Sequence, residues 1–239
     1  MSSAAKNNRP LFVVTAGPTR EHLDPVRFLS NPSTGKMGFA VAEAAAARGC
    51  EVVLVAGPVA LKTPRGVRRV DVVSAREMLS AAVAAVDSAP RSRPLAFVAV
   101  AAVADWRPRR CAAKKLKKRE MSGTLELVRN PDVLKSVGAR LRRAGRKDAV
   151  LVGFAAETGS PIAEAARKCR EKRLAFTVAN DVSEKGSGFG SDSNRVAFVR
   201  ADGFSSRLPP MSKKAVARRI VGEIEKVFGK EARGKEKSV

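Results

Sequence analysis

Apolar residues fall in short runs along the chain, and the runs alternate between two periods. Residues 11–15 (L-F-V-V-T) are almost continuously apolar, as in a parallel strand covered on both faces. After a long polar stretch, residues 38–48 read as a buried, Ala-rich helix closed by Gly49. Residues 51–56 (E-V-V-L-V-A) predict a second strand ended by Gly57 and Pro58, and residues 69–73 a short third. Ser74 and Glu77 form a capping box that opens a helix to about Ser88. Residues 95–102 (L-A-F-V-A-V-A-A) have the strongest pattern of a central strand, and 149–155 and 175–179 repeat it around a helix from Ser160 and Pro161 to Arg173. This βαβ rhythm predicts an α/β fold with a doubly wound, mostly parallel sheet and right-handed crossovers.

Two regions break the rhythm. The run K-K-L-K-K-R (114–119), a turn at Ser122-Gly123 and T-L-E-L-V (124–128) predict a β-hairpin arm outside the main layer, spanning about 109–129. Asn130, Pro131 and Asp132 then cap a basic helix to about Arg143, with proline at its first position. Further on, residues 184–194 form a loop rich in Gly, Ser and Asp. Residues 196–200 and 204–208 flank Ala201-Asp202-Gly203 and predict an antiparallel hairpin at the sheet edge. Ser212 caps a last helix on which Val216, Ile220, Val221, Ile224, Val227 and Phe228 form one apolar stripe. The organisation expected is a tail over 1–10, one domain over 11–229, and a charged, disordered tail over 230–239.

The polar stretch between the first strand and the first helix, residues 14–38, is too long for a simple connection. Ser33, Thr34, Gly35 and Gly38 place hydroxyls and bare backbone at a helix N-terminus, where free N–H groups and the helix dipole favour phosphate. Lys36 adds positive charge. A solvated surface loop is the competing reading of the same spacing.

Composition narrows the classes. The chain has 239 residues, enough for a sizeable core, and 44% hydrophobic content with no run long enough to span a membrane. Its first residues lack the apolar core of a signal peptide. Cys50, Cys111 and Cys169 are far apart and odd in number, which suits a reducing cytoplasm, and the lone His22 excludes a His-rich metal cluster. The formal charge of +23 favours polyanionic partners, yet Tyr is absent, Trp106 is the sole tryptophan and the basic residues are dispersed. Nucleic-acid binding by base stacking is therefore disfavoured. No G-x-G-x-x-G follows the first strand, Gly57…Lys62-Thr63 lacks the second glycine of a Walker loop, and no G-x-S-x-G elbow occurs. Chemistry by phosphates, lysines and backbone amides remains. A nicotinamide oxidoreductase and a basic, non-catalytic nucleic-acid-binding protein stand as the alternatives.

The stretch T-A-G-P-T-R-E-H-L-D-P-V-R-F-L-S-N-P-S-T-G-K-M-G (15–38) resembles the signature of the phosphopantothenoylcysteine synthetases, and further blocks of that family follow in order. They are A-A-V-A-D-W-R-P (101–108), K-L-K-K (115–118), N-P-D-V (130–133), V-G-F-A-A-E-T (152–158), V-A-N-D-V (178–182) and G-F-G-S-D-S-N (188–194). The resemblance implies a Rossmann-like sheet and a homodimer whose hairpin arm lies over the partner's site. It also implies a ligase that joins 4′-phosphopantothenate to L-cysteine through an acyl-nucleotide, with Mg²⁺ accompanying the nucleotide. The bacterial, CTP-using branch is the one whose blocks match. Many relatives are fused to a flavin-dependent decarboxylase; this chain begins at the synthetase, so neither flavin nor decarboxylation is expected, and the missing G-x-G-x-x-G argues against nicotinamide.

Carried over residue by residue, the resemblance gives Asn31 and Lys115 catalytic roles, on the acyl carbonyl and the α-phosphate respectively. Gly17, Ser33, Gly35 and Gly38 are implied at the phosphates and Asp105 near the ribose. Asn130, Pro131, Asp132, Val133 and Phe154 are implied beside the base, and Lys168 and Lys172 on the nucleotide. Ala101 and Ala102 are implied on the substrate side. Trp106 stands where the family commonly has tyrosine.

Overall fold

The computed structural model describes residues 9–120, 123–146, 148–157, 161–181 and 191–236. Its centre is β1 (Leu11–Ala16), fully buried along its length and paired in parallel with β4 (Glu51–Ala56) and β6 (Leu95–Ala99). Between β1 and β4 lie a small antiparallel hairpin, β2 (Arg20–His22) with β3 (Phe28–Ser30), and helix α1 (Lys36–Ala47). Beyond β4 come β5 (Val67–Asp71) and α2 (Ala75–Asp87). β6 leads through β7 (Trp106–Pro108) and β8 (Leu127–Arg129) to α3 (Val133–Arg143), and then β9 (Ala149–Glu157), α4 (Pro161–Lys172) and β10 (Phe176–Asp181). The last elements are β11 (Ser193–Asn194), β12 (Val196–Val199), β13 (Ser205–Arg207), β14 (Met211–Ser212) and α5 (Lys213–Glu236).

The main sheet runs β13-β12-β10-β9-β6-β1-β4-β5, parallel from β10 to β5 and antiparallel at β12 and β13. This is the doubly wound, mostly parallel α/β sheet with an antiparallel edge hairpin that the apolar runs predict. Alternation along β1 sorts the core. Phe12 and Val14 pack with α1 and α5, through Val41, Ala45, Val216 and Ile220. Leu11 and Val13 face the other layer, where Met78, Val137 and Cys169 sit on α2, α3 and α4. Strand order reverses between β1 and β6, so their following helices leave on opposite faces. In open α/β sheets that reversal opens a crevice at the C-terminal strand ends.

Local structure departs from the sequence expectations in four places. The polar 14–38 stretch is an ordered hairpin rather than a bare loop, because the buried Asp24 organises its turn. Asp24 Oδ1 accepts from the backbone N–H groups of Val26 and Arg27 at 2.9 and 2.8 Å. The arm pairs at 106–108 with 127–129, and the lysine run forms no strand; one 3₁₀ turn occurs at Lys118–Glu120. That run offers a single apolar residue, Leu116, and so has no face to bury in a sheet. Pro131 is not the first helical residue, because Asp132 is the N-cap, its side chain accepting from Lys135 N at 2.9 Å. Finally, α5 continues through Glu236 into the segment expected to be a disordered tail. Its Lys, Glu, Ala and Arg residues are all strong helix formers. Residues 1–8, 182–190 and 237–239, including most of the expected 184–194 loop, lie outside the described residues.

Candidate active site

A cleft of about 500 Å³ opens at the C-terminal ends of β1, β6, β9 and β10, where Thr15, Ala99, Phe154 and Asn180 line it. One wall is the entry to α1. Gly35 is its N-cap with φ 77°, a left-handed conformation that glycine adopts without strain, and no side chain caps the helix. The other described helix starts at the sheet differ: Ser74 caps α2 and Asp132 caps α3. Ser33 Oγ accepts from Gly35 N at 3.3 Å, fixing the turn before the helix. No acidic residue occupies the first turn of α1, and Lys36 begins it. Uncapped N–H groups and a positive dipole end therefore face the cleft. Gly38 lets α1 sit close to β1: a Cβ there would lie 2.5 Å from Ala16 Cβ.

The opposite wall is residues 101–105 and 130–134, and hydrogen bonds knit it to the first. Asn31 Nδ2 donates to the carbonyls of Ala102 and Val103, each at 3.2 Å, so its carboxamide straddles the cleft floor. Ala101 N donates to Thr15 Oγ1 at 3.3 Å, and Ala104 N to the buried Thr19 Oγ1 at 3.0 Å. Asn130 N donates to Asp105 O, and Asn130 Nδ2 to Ala104 O, both at 2.8 Å. Lys172, arriving from the end of α4, meets Asp132 at 2.6 Å.

Most residues singled out from the sequence come together here: Asn31, Ser33, Gly35, Gly38, Ala101, Ala102, Asp105, Asn130, Pro131, Asp132, Val133, Phe154 and Lys172 all line the cleft. Gly17, Lys115 and Lys168 are not on its lining. Gly17 lies behind Gly35, whose added Cβ would be 3.4 Å from Gly17 Cα. Lys168 lies 3.7 Å from Glu164 on its own helix. Lys115 is exposed on the 109–126 excursion. Next to it, Leu116 anchors the excursion to the β2–β3 turn. Leu116 N donates to Asp24 Oδ2 at 3.2 Å, and Arg27 Nη2 donates to Leu116 O at 2.8 Å. The Arg27 guanidinium, first among several donors, holds the Asp24 carboxyl well below the usual carboxylate range.

Sequence reasoning did not assign Asn180, Asn194 or Lys213, which also line the cleft. The two asparagines lie inside quoted family blocks, a usable signal. Lys213 directly follows the Ser212 cap, where nothing in the sequence marks it as buried. Asp105 and Asp132 are the carboxylates on the lining, and Asp132 is already engaged with Lys172 and as a cap. Among the described residues no group of three or more His, Cys, Asp or Glu could cage a metal ion. One available carboxylate suits magnesium brought in by nucleotide phosphates, an ion that keeps much of its water. Among the described residues, no helix is long and apolar enough to cross a membrane.

Residues 8–228 match the family model described as the DNA/pantothenate metabolism flavoprotein C-terminal domain. The chain belongs to this family. The bifunctional coenzyme A biosynthesis protein CoaBC of Bacillus subtilis is 44% identical over 213 residues, covering 89% of this chain and 50% of that protein. The chain thus spans about half the length of the curated relatives it matches. The crystal structure of the C-terminal domain of a CoaBC superposes with a TM-score of 0.74 at 38% identity, covering 93% of this chain and 96% of that one. A Cab2 H337A mutant in complex with phosphopantothenate-cysteine shares the fold, with a TM-score of 0.72 at 16% identity over 98% of this chain and 90% of that one. The family's domain and the cleft described above therefore occupy the same stretch of chain.

Proposed function

We propose that this domain is a phosphopantothenate–cysteine ligase that uses CTP and acts in the cytoplasm. The observation that carries the reading is the polarity of the cleft. One end presents the uncapped α1 N-terminus with Ser33, Gly35 and Lys36; the other presents Phe154 and the 130–133 wall. An anion fits the first end and a nucleobase the second. The family and the CoaBC relatives support the substrates, 4′-phosphopantothenate and L-cysteine.

A carboxylate is a poor electrophile, so activation comes first. The pantothenate carboxylate attacks the α-phosphate of CTP, forming the acyl-cytidylate and releasing pyrophosphate. The cysteine amine then attacks the acyl carbon and displaces CMP, giving phosphopantothenoylcysteine. Neither step needs a protein nucleophile; both need alignment and charge stabilisation in a site closed to water. The α1 amides and Ser33 bind phosphate oxygens, and Gly17 and Gly35 keep the turn behind them tight. Asn31, already held against the 102–103 carbonyls, orients the acyl group. Ala101 and Ala102 leave room for the pantothenate chain. Asp105 meets the ribose, and magnesium brought in on the nucleotide would supply charge neutralisation on the departing phosphates. Lys172, and Lys168 one turn before it, add positive charge near the nucleotide.

Lys115 stands off its own chain's cleft, which suits a symmetric homodimer in which each arm supplies its lysine to the partner's α-phosphate. The 130–133 wall is held by several backbone and side-chain bonds, so it is a rigid template. A rigid template cut for cytosine rejects a purine, because polar groups left unpaired are costly. CTP and ATP offered together at equal concentration, with phosphopantothenate and cysteine, should yield mainly CMP. Predominant AMP reverses the base preference, and no pyrophosphate release with either nucleotide refutes the ligase.

A further inference from the structure

Lys213 is 7% exposed and begins α5, yet no apolar packing role needs its charge. It lines the cleft at the α1 end, and also lines a second pocket of about 520 Å³ that adjoins it through Lys36. Its backbone N–H donates to Asp192 O at 3.0 Å, and Asp192 Oδ1 pairs with Lys36 at 2.6 Å. Lys36 and Lys213 therefore bring two ammonium groups to this corner. Burial pushes the Lys213 ammonium below its ordinary range, and the charge of Lys36 pushes the same way, against Asp192. Burying an ammonium beside another is costly. A multiply charged anion in the corner is attracted by both.

A second side chain points to the same ligand. Asn194 is 6% exposed and lines the cleft. Its Nδ2 meets only Met37 Sδ at 3.9 Å, and its Oδ1 has no hydrogen-bond partner. The two ends of a carboxamide are assigned from their partners, and here neither end has a strong one. A buried carboxamide with one end unpartnered is expensive unless a ligand supplies the partner.

We propose that Lys213, with Asn194 beside it, is a further nucleotide-binding residue that takes the two terminal phosphates, the pair that leaves as pyrophosphate. This rests on the ligase reading above. The uncapped α1 amides reach the same phosphates from one side and Lys213 from the other, so the departing group is held at both flanks while the acyl-nucleotide forms.

Calorimetric titration of Lys213→Met with CTP, CMP and inorganic pyrophosphate in the presence of magnesium tests the assignment. Methionine keeps the buried stem and drops the charge. Binding of CTP and of pyrophosphate should weaken roughly 10- to 100-fold, the range of a lost charge-assisted bond, with CMP unchanged. Lys213→Arg should recover part of the loss. Equal weakening of CMP would make Lys213 a packing residue, and unchanged CTP binding would also overturn the proposal. Should Lys213→Met fail to fold, Asn194→Asp asks the same question by setting a carboxylate beside the phosphates: CTP should weaken and CMP should not. An unsubstituted protein that binds CTP but forms no phosphopantothenoylcysteine overturns the ligase reading alone, and the triphosphate–monophosphate contrast still decides Lys213. Binding of no nucleoside triphosphate overturns both.

Discussion

Asn31→Asp changes one atom type at the floor of the cleft, and its consequences can be worked from the hydrogen bonds. Asn31 Nδ2 donates to two backbone carbonyls at 3.2 Å. Each such bond contributes about 0.5–1.5 kcal/mol net, so losing both costs about 1–3 kcal/mol. Asn31→Ala should show that loss alone. Asn31→Asp should exceed it, because a carboxylate oxygen would then stand against two carbonyl oxygens with no proton between them. Urea denaturation of the three proteins reads the ranking directly. The chemistry separates from the stability in a quenched time course with CTP, phosphopantothenate and cysteine. If the carboxamide orients the acyl group for the amine, Asn31→Ala should release about one equivalent of pyrophosphate per site and then stall. The acyl-cytidylate should accumulate. An Asp variant as stable as the unsubstituted protein would show that the two donations contribute nothing. Continuous turnover by Asn31→Ala would remove the residue from the mechanism.

Mixing inactive Asn31→Ala with inactive Lys115→Gln should restore about one quarter of full activity if the arm acts across a twofold dimer, since only mixed dimers regain an intact site, and only one each. No recovery after subunit exchange would place both residues in one chain's site. Gly38→Ala should destabilise the fold by about 1–3 kcal/mol despite alanine's helix propensity, because its methyl meets Ala16 rather than a movable side-chain end. CTP binding should weaken as α1 is pushed from the sheet, and unaltered melting and affinity would contradict that packing. Asp24 has a lowered folded pKa, so its contribution to stability is present above about pH 4 and is lost as pH falls toward the lowered value. Urea midpoints for Asp24→Asn should therefore fall less steeply below about pH 4 than those of the unsubstituted protein, and parallel curves would refute the assignment.

Sheet and helices were legible in the sequence because each is specified locally: β1, β4 and β6 are short, continuous apolar runs between turn residues, and α2 carries its own capping box. What was not legible depends on pairing between distant segments. The β2–β3 hairpin exists because Asp24 is buried, and part of that burial comes from Leu116, far along the chain. The arm pairs at Trp106–Pro108 rather than at its lysine run, where Leu116 bonds the β2–β3 turn instead. The cleft followed the motif blocks closely, with most named residues on its walls. Lys213 escaped because its burial is imposed by the α1 corner, and nothing in K-K-A-V marks which lysine turns inward.

Helix α1 presents the phosphate-facing N-terminus, but its outer flank is covered by α5. Val41 and Ala45 meet Val216, Ile220 and Ile224, while Glu43 and Arg48 pair with Lys214 and Glu225. During synthesis α1 emerges early and α5 late, with most of the sheet made in between. The nascent chain therefore carries an uncovered apolar helix flank until α5 follows it, which is a long exposure for a chaperone to guard. The same arrangement makes α5 a condition of function. A chain cut short before residue 213 loses both the cover of α1 and the lysine at the far side of the phosphates, so an unfinished product has no working cleft with which to sequester nucleotide.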